Sequence, residues 1–256
     1  MTTDSKGRII VTEHFGDRVS IFSPEWDKIQ TLGSGSSSST EGQFKYPAGV
    51  TVDNDDNIYI VDMGNHRIQK FSSDGRFVAS VGTRSSNPLQ FRVPLGIGFS
   101  EKNGKLYVCD GNNHRIQILG TDLIHHHSFA NENGQFNCPY NIAFDRSGDV
   151  YVADHYNHRI QVFTPEGQYL RMFGSNGAGP GQLRDPTGVA VDGDRVCVTE
   201  VGNHHVSVFN TEGKFLKSYG CMGEAKAQFI SPHSVHVSKD GFILVADKGN
   251  NRIQVF

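Results

Sequence analysis

Long apolar runs, paired cysteines, helical periodicity and charge of one sign are all missing from this 256-residue sequence. A membrane-crossing helix needs about eighteen or more consecutive apolar residues, and no such run occurs. No charged-then-apolar leader opens the sequence, so it reads as a soluble chain without a visible targeting signal. The four cysteines, Cys109, Cys138, Cys197 and Cys221, include no C-x-x-C pair, which removes the usual zinc-ribbon and redox signatures. Cys109 and Cys197 lie in apolar strand-like runs, where a thiol acts as a small core residue. No N-x-S/T sequon is present, and together these features predict a cytoplasmic location. The formal net charge of −3 argues against a polycation built for nucleic acid or an anionic membrane, although a local basic patch is compatible with it. No stretch sustains a 3.6-residue period, so essentially no helix is expected. With 36% hydrophobic and 20% charged residues and 29 glycines, the composition is that of a loop-rich all-β protein.

What the sequence does contain is a repeat. Residues 62–68 read D-M-G-N-H-R-I and residues 154–160 read D-H-Y-N-H-R-I. An acid five residues before a base recurs as Glu13/Arg18, Asp62/Arg67, Asp110/Arg115, Asp154/Arg159, Glu200/His205 and Asp247/Arg252, at intervals of 44 to 49 residues. A second series, Pro47, Pro94, Pro139, Pro186 and Pro232, keeps the same register. Most of these prolines follow a G/A-Q-F/L stretch, as in G-Q-F-K-Y-P, G-Q-F-N-C-P, G-Q-L-R-D-P and A-Q-F-I-S-P. Two landmarks in one register make chance alignment untenable.

Each period reads as a four-stranded meander. From Pro186 the runs T-G-V-A-V-D, V-C-V-T-E, H-V-S-V-F and K-F-L-K-S-Y-G are short strands punctuated by Gly, Asp and Asn. The second strands (I-I-V-T, I-Y-I-V, L-Y-V-C, V-Y-V-A, V-C-V-T, I-L-V-A) are apolar on both faces. A half-exposed sheet would alternate; a sheet covered on both sides would not. Six such sheets, each covered by its neighbours, describe a six-bladed β-propeller. A linear solenoid would need polar capping repeats, and the terminal units are ordinary copies.

N-H-R-I at 65–68, 113–116 and 157–160 resembles the signature of the NHL repeat family, with N-H-H-V at 203–206, N-N-R-I at 250–253 and G-D-R-V at 16–19 as variants. The resemblance spans residues 1–256 and implies one NHL propeller domain of four-stranded blades, the first and last incomplete. The first strand of one blade and the fourth of another are largely absent, so the chain is expected to be a fragment whose upstream residues supply the missing strand. The repeated motif itself reads as structural. Asn or Gly is expected to make the turn, and a bidentate acid–base contact to lock the hairpin. The motif histidines His66, His114, His158 and His204 are expected to pack in the turn. His125, His126 and His127 read as an irregular, solvated stretch between units three and four, and residues 33–40 (G-S-G-S-S-S-S-T) as a long inter-blade loop.

Enzymatic alternatives lose their ligands at the channel-lining positions. The chain resembles the peptidyl-amidating lyases in fold, yet only Pro232–His233–Ser234 matches the histidine position that resemblance implies. One imidazole cannot hold a three-ligand zinc site. Calcium-dependent lactonase propellers need a cluster of oxygen ligands, whereas Asn141 stands among glycines. No metal, cofactor, catalytic residue or small-molecule substrate is therefore expected, and no membrane contact.

The loop face is the candidate surface. Lys45, Arg92 and Arg184 fall two residues before three of the prolines, and Tyr46, Tyr140, His155, Tyr156, His233 and Lys248 are expected around them. Basic groups among aromatics suit a protein partner or looped and single-stranded RNA. NHL propellers of this kind resemble the C-terminal domains of tripartite-motif proteins, in which a RING performs ubiquitin transfer. Four scattered cysteines cannot form a RING here. The expectation is a non-catalytic recognition module that binds a protein, with post-transcriptional RNA binding as the alternative.

Overall fold

The computed structural model describes residues 1–130, 136–238 and 240–256. Its regular structure is strand, joined by short turns and 3-10 turns. The chain divides into two compact units, Met1–Ala130 and Asn131–Phe256. In the first unit, blade 1 is built from Thr2–Thr3, Ile9–Glu13, Arg18–Phe22 and Lys28–Leu32. Blade 2 contains Pro47–Val52, Ile58–Asp62, Arg67–Phe71 and Phe77–Val81; blade 3 contains Pro94–Ser100, Lys105–Asp110, Arg115–Gly120 and His125–Phe129. In the second unit, blade 4 comprises Pro139–Phe144, Val150–Asp154, Arg159–Phe163 and Tyr169–Phe173. Blade 5 comprises Pro186–Asp192, Arg195–Glu200, His205–Asn210 and Phe215–Tyr219. Blade 6 has three strands among the described residues, Pro232–Val237, Ile243–Asp247 and Arg252–Val255. Every sheet is an antiparallel meander in sequence order, and the fold is a six-bladed β-propeller. Blade 1 opens with a strand of two residues and blade 6 shows no fourth strand among the described residues, in keeping with the expected incomplete end blades.

The apolar second strands serve two cores at once. Ile58 and Ile60 join Ile10, Val19 and Ile21 of blade 1. The intervening Tyr59 and Val61 join Ile97, Leu106 and Val108 of blade 3. In the second unit, Val196 and Val198 pack with Tyr151 and Ala153 of blade 4, while Cys197 packs with Val235 and Val245 of blade 6. Period-two alternation thus sends successive side chains into opposite interfaces, both of them dry.

The apolar residue three before a repeat proline is a plug between blades at Phe44, Phe91, Leu183 and Phe229. Phe44, Phe91, Phe136, Leu183 and Phe229 are all at most 2% exposed. Phe136 also stacks on Phe163 at 5.3 Å. Gly134 and Gln135 of that landmark lie outside the described residues. The plugs dictate a glycine upstream. At Gly33 (φ +83°) an added Cβ would sit 2.7 Å from Phe44 Cδ2. Only a residue without a side chain tolerates both that backbone and that approach.

The three histidines at 125–127 belong to the outer strand of blade 3, not to an irregular stretch. Strand pairing with Ile116–Leu119 spreads them along the sheet edge, and His125 Nε2 pairs with Ser128 Oγ at 2.8 Å.

Candidate functional site

The acid of the repeat is a buried hub. In blade 2, Asp62 Oδ1 accepts the Lys45 backbone N–H at 2.8 Å. Its Oδ2 accepts from Asn65 Nδ2 (2.9 Å), Arg67 Nε (2.7 Å) and Gln69 Nε2 (3.1 Å). Asp110, Asp154 and Asp247 repeat this pattern, and all four aspartates are fully buried. At these aspartates the contact with arginine is therefore not bidentate. In blades 2, 3 and 6 Nε reaches the acid while the guanidinium's other arms extend to loop carbonyls; Arg159 of blade 4 also donates to Met172 Sδ, and Arg18 of blade 1 brings both Nε and Nη2 to Glu13. Arg67 donates to Ser39, Thr40 and Gln43, and Arg252 to Glu224, Ala225 and Gln228. The planar fork thereby ties a hairpin to the loop that precedes it.

Two copies deviate. Glu13 reaches Arg18 and Ser20 but stays partly exposed. In blade 5, Glu200 accepts from Arg184 N–H (2.8 Å), Asn203 Nδ2 (2.6 Å), His205 Nε2 (2.9 Å) and Ser207 Oγ (2.6 Å). His205 replaces the arginine and lacks its reach to the loop.

In blades 2 to 5 the left-handed residue of the turn is the histidine, His66, His114, His158 or His204, with φ between 53° and 56°; in blade 6 it is Asn251 (φ 52°), as the Asn reading expected, and in blade 1 it is Asp17 (φ 48°). In blades 2 to 6 the preceding Asn is a donor to the acid, and Gly64 gives room. An added Cβ there would lie 2.6 Å from Lys45 Cγ. The motif histidines also link blades. Nδ1 of His66, His158 and His204 accepts the backbone N–H of Val93, Asp185 and Ser231 at 3.2, 3.1 and 3.0 Å. At His66, an imidazole accepting through Nδ1 carries its proton on Nε2 and is neutral.

This has a pH consequence. Burial holds His66 and His155 below the ordinary histidine value, and desolvation holds His236 at about 4. The unfolded chain binds those protons more readily, near about pH 6.5. Their stabilisation is therefore complete above about pH 6.5 and lost as the pH falls toward about 4. Thermal unfolding should give a lower Tm at about pH 5 than at about pH 7; an equal or higher Tm at the acid end would contradict this.

Of the loop-face residues, Lys45, Arg92 and Arg184 occupy one slot in three different blades. Their backbone N–H groups cap the hubs and their side chains are exposed. The others converge more closely. In the second unit a continuous cluster runs over the turns of blades 4 and 6. Tyr140 lies 5.2 Å from His155 and 5.7 Å from His233 between ring centroids, and His155 lies 4.5 Å from Tyr156. Tyr140 Oη is 3.3 Å from His233 Nδ1, and Lys248 Nζ is 3.5 Å from His233 Nε2. Bulges position two of these residues. Register shifts between Pro139 and Ile142 and between Pro232 and Ser234 place Tyr140 and His233 in local irregularities that re-aim their side chains. His155 is anchored by donating Nδ1–H to the Pro186 carbonyl at 3.1 Å. Burial pushes the Tyr140 phenol up and the Lys248 amine down. Tyr156 is 58% exposed above this layer.

Tyr46 lies in the first unit, in a smaller cluster that sequence reasoning missed. Its ring is 5.4 Å from His14 and 6.3 Å from Phe15, and Phe15 is 76% exposed. The signal was available: blades 1 and 4 alone carry a His–aromatic pair, H-F and H-Y, at the start of the turn.

Among the described residues no three His, Cys, Asp or Glu side chains converge as metal ligands, and no helix is long and apolar enough to cross a membrane.

Comparison with known proteins follows the same register. Protein brain tumor from Drosophila melanogaster is 30% identical over 144 residues, covering 52% of this chain and 13% of that protein. NHL repeat-containing protein 3 from Homo sapiens is 29% identical over 162 residues, covering 61% of this chain and 41% of that one. The chain thus spans well under two thirds of either relative. Among solved structures, a streptogramin B lyase superposes with a TM-score of 0.72 at 16% identity, over 99% of this chain and 76% of that one. Virginiamycin B lyase from Staphylococcus aureus gives 0.71 at 16%, over 100% and 82%. At that identity the likeness is one of fold. The NHL repeat profile matches residues 44–71, 91–119, 136–163, 183–209 and 229–256. The degenerate G-D-R-V copy is outside those segments, although it builds a blade of the same design. With more than half of its residues in matched repeats, the chain belongs to the NHL repeat family.

Proposed function

We propose that this chain is a recognition module that binds a protein partner through the loop face of its second unit and has no catalysis of its own. The supporting observation is the contiguous Tyr140–His155–Tyr156–His233–Lys248 cluster. Aromatic side chains present large area at low conformational cost, which is what an interface anchor needs. One lysine among two tyrosines and two histidines is a poor match to a phosphate backbone. The likeness to protein brain tumor is consistent with a tripartite-motif type of ubiquitin ligase. In that reading the propeller selects the target within a single propeller domain, and a RING outside this chain transfers ubiquitin.

RNA binding is the second reading, carried by the exposed cations at Lys45, Arg92 and Arg184. The test starts from partners captured by the purified chain, each then purified and titrated against wild type and Tyr156→Ala. Protein recognition predicts a loss of at least about tenfold with Tm unchanged, the scale of an aromatic hot spot. A partner affinity indifferent to Tyr156→Ala would overturn the reading. So would tight decauridylate binding that falls steeply with salt and vanishes when all three cations become Glu.

A further inference from the structure

Blade 5 keeps the loop and the buried acid of the other blades but not the base that joins them. In blade 6, Arg252 puts Nε on Asp247 and its two terminal nitrogens on the carbonyls of Glu224 (2.7 Å), Ala225 (2.8 Å) and Gln228 (2.9 Å). Gln254 Nε2 also reaches the Gln228 carbonyl, at 2.6 Å. Arg115 and Gln117 of blade 3 do the same with Asn87 and Gln90. The loop entering blade 5 is built to the same plan. Asn176 and Leu183 form the parallel bridge that Met222 and Phe229 form before blade 6. Gln182 N–H donates to the Gly179 carbonyl at 3.0 Å, as Gln228 does to Ala225 at 3.1 Å. Asn203 Nδ2 holds the Gly177 carbonyl at 2.9 Å, the counterpart of Asn250 on Gly223 at 3.0 Å. The carbonyls of Ala178, Gly179 and Gln182 therefore stand in the places of Glu224, Ala225 and Gln228.

His205 and Ser207 stand in the places of Arg252 and Gln254. His205 Nε2 meets Glu200 at 2.9 Å, as an arginine Nε would, and the imidazole ends there. Ser207 Oγ stops at the same carboxylate, at 2.6 Å. Among the described residues no side chain donates to the carbonyls of Ala178, Gly179 or Gln182, and all three residues are exposed. The charge differs as well. An arginine is permanently cationic, whereas His205 balances the buried Glu200 only when protonated. A second carboxylate, Asp185, lies 3.3 Å from His158 Nδ1. The nearest cation, Arg184, caps Glu200 through its backbone N–H, and its stem packs beside Gly202.

We propose that the carbonyls of Ala178, Gly179 and Gln182, beside Glu200, form a seat for the guanidinium of an arginine side chain from the protein partner. This rests on the protein-recognition reading and extends it to a blade that carries none of the Tyr140–His155–Tyr156–His233–Lys248 cluster. The equivalent carbonyls of blades 2, 3 and 6 already take a guanidinium, supplied there by the chain itself. A planar fork with five donors can reach several carbonyls at once, and it gives up its hydration more readily than the compact ammonium of lysine. The Glu200 charge behind the carbonyls favours any cation, so the geometry of the three acceptors is what selects arginine.

The experiment uses the whole chain and fluorescein-labelled hexaarginine, with hexalysine and the monomer N-acetyl-argininamide as further arms. Anisotropy is read at about 150 mM salt, where the Debye length is about 8 Å. Hexaarginine should bind about tenfold more tightly than hexalysine. Ser207→Gln restores the amide arm of the other blades without adding charge and should weaken hexaarginine about fivefold or more. His205→Arg fills the seat from within and should weaken it further. The seat is overturned if hexaarginine does not bind, if hexalysine binds as tightly, or if Ser207→Gln binds hexaarginine like wild type; a loss confined to His205→Arg is then charge repulsion. Tm shows whether each variant folds. If Ser207→Gln does not, N-acetyl-argininamide titrated against His205→Arg decides instead, because a single charge is little repelled at this salt, and undiminished binding overturns the seat. Tighter binding of the monomer than of hexaarginine overturns the assignment to a protein arginine. Failure of the face reading shows separately, as a purified partner insensitive to Tyr156→Ala. A partner that responds to Tyr156→Ala but to neither blade 5 variant overturns the seat alone.

Discussion

Asp62→Ala is expected to destabilise the fold by about 3–5 kcal/mol, the scale for removing one partner of a buried ion pair. The Asp62 carboxylate is fully buried and answers four donors at once: the Lys45 N–H, Asn65, Arg67 and Gln69. Its removal leaves a guanidinium whose side chain is 11% exposed without its anion. It also leaves a backbone N–H without its acceptor. Asp62→Asn should cost nearly as much. One amide oxygen can still accept, but the amide nitrogen would face donors. Glu13→Ala supplies the contrast. That carboxylate is 30% exposed and pairs with an arginine that is 42% exposed, so the loss should stay within about 1 kcal/mol. Urea unfolding of the three variants measures both numbers. Equal losses at positions 62 and 13 would refute the hub.

The second large effect is Phe91→Ala, with an expected cost of about 3–5 kcal/mol. Phe91 is fully buried among Tyr59, Val61, Ile68, Ile97 and Leu106, side chains from blades 2 and 3. Truncation opens a cavity between two sheets whose hydrogen bonds prevent them from closing over it. Phe15→Ala removes an equally large ring that is 76% exposed, and its stability cost should be near zero. The same urea experiment checks this pair. A Phe91→Ala cost below that of an ordinary surface change would show that the loop does not plug the interface.

How much of this could be read beforehand differs by feature. The second strands were legible because a sheet covered on both faces must be apolar at every position, as I-Y-I-V and V-Y-V-A are. The acid and base at the ends of each turn were legible from their constant spacing. The partners of the acid were not. Lys45 and Asp62 are seventeen residues apart, in a loop and a strand end, and only the packing of the loop against the hairpin brings the N–H to the carboxylate. Spacing suggested a two-armed contact. The loop carbonyls claimed the other arms of arginine because the loop packs within reach of them, and Gln43 and Gln228 accept from a glutamine amide as well. The fourth strand of blade 3 was misread because three adjacent histidines show no apolar alternation, while the edge of a sheet does not require any.

The face residues were named by their slot in the repeat, and the slots do lie at the turns. Their grouping into a second-unit cluster, with Tyr46 in a separate one, was not visible. Tyr140 and His233 are 93 residues apart in sequence. Both are turned toward each other by bulges that depend on strand register, not on composition.

By itself the sequence determined the number of sheets, their strand order and the residues that open and close each hairpin, because these follow from local periodicity and turn chemistry repeated six times. Only the tertiary structure decided which donors meet each buried acid, that His66, His158 and His204 bind the next blade, and which basic and aromatic groups touch. Those depend on where side chains from distant segments point once the sheets are packed, and no one-dimensional pattern carries that direction.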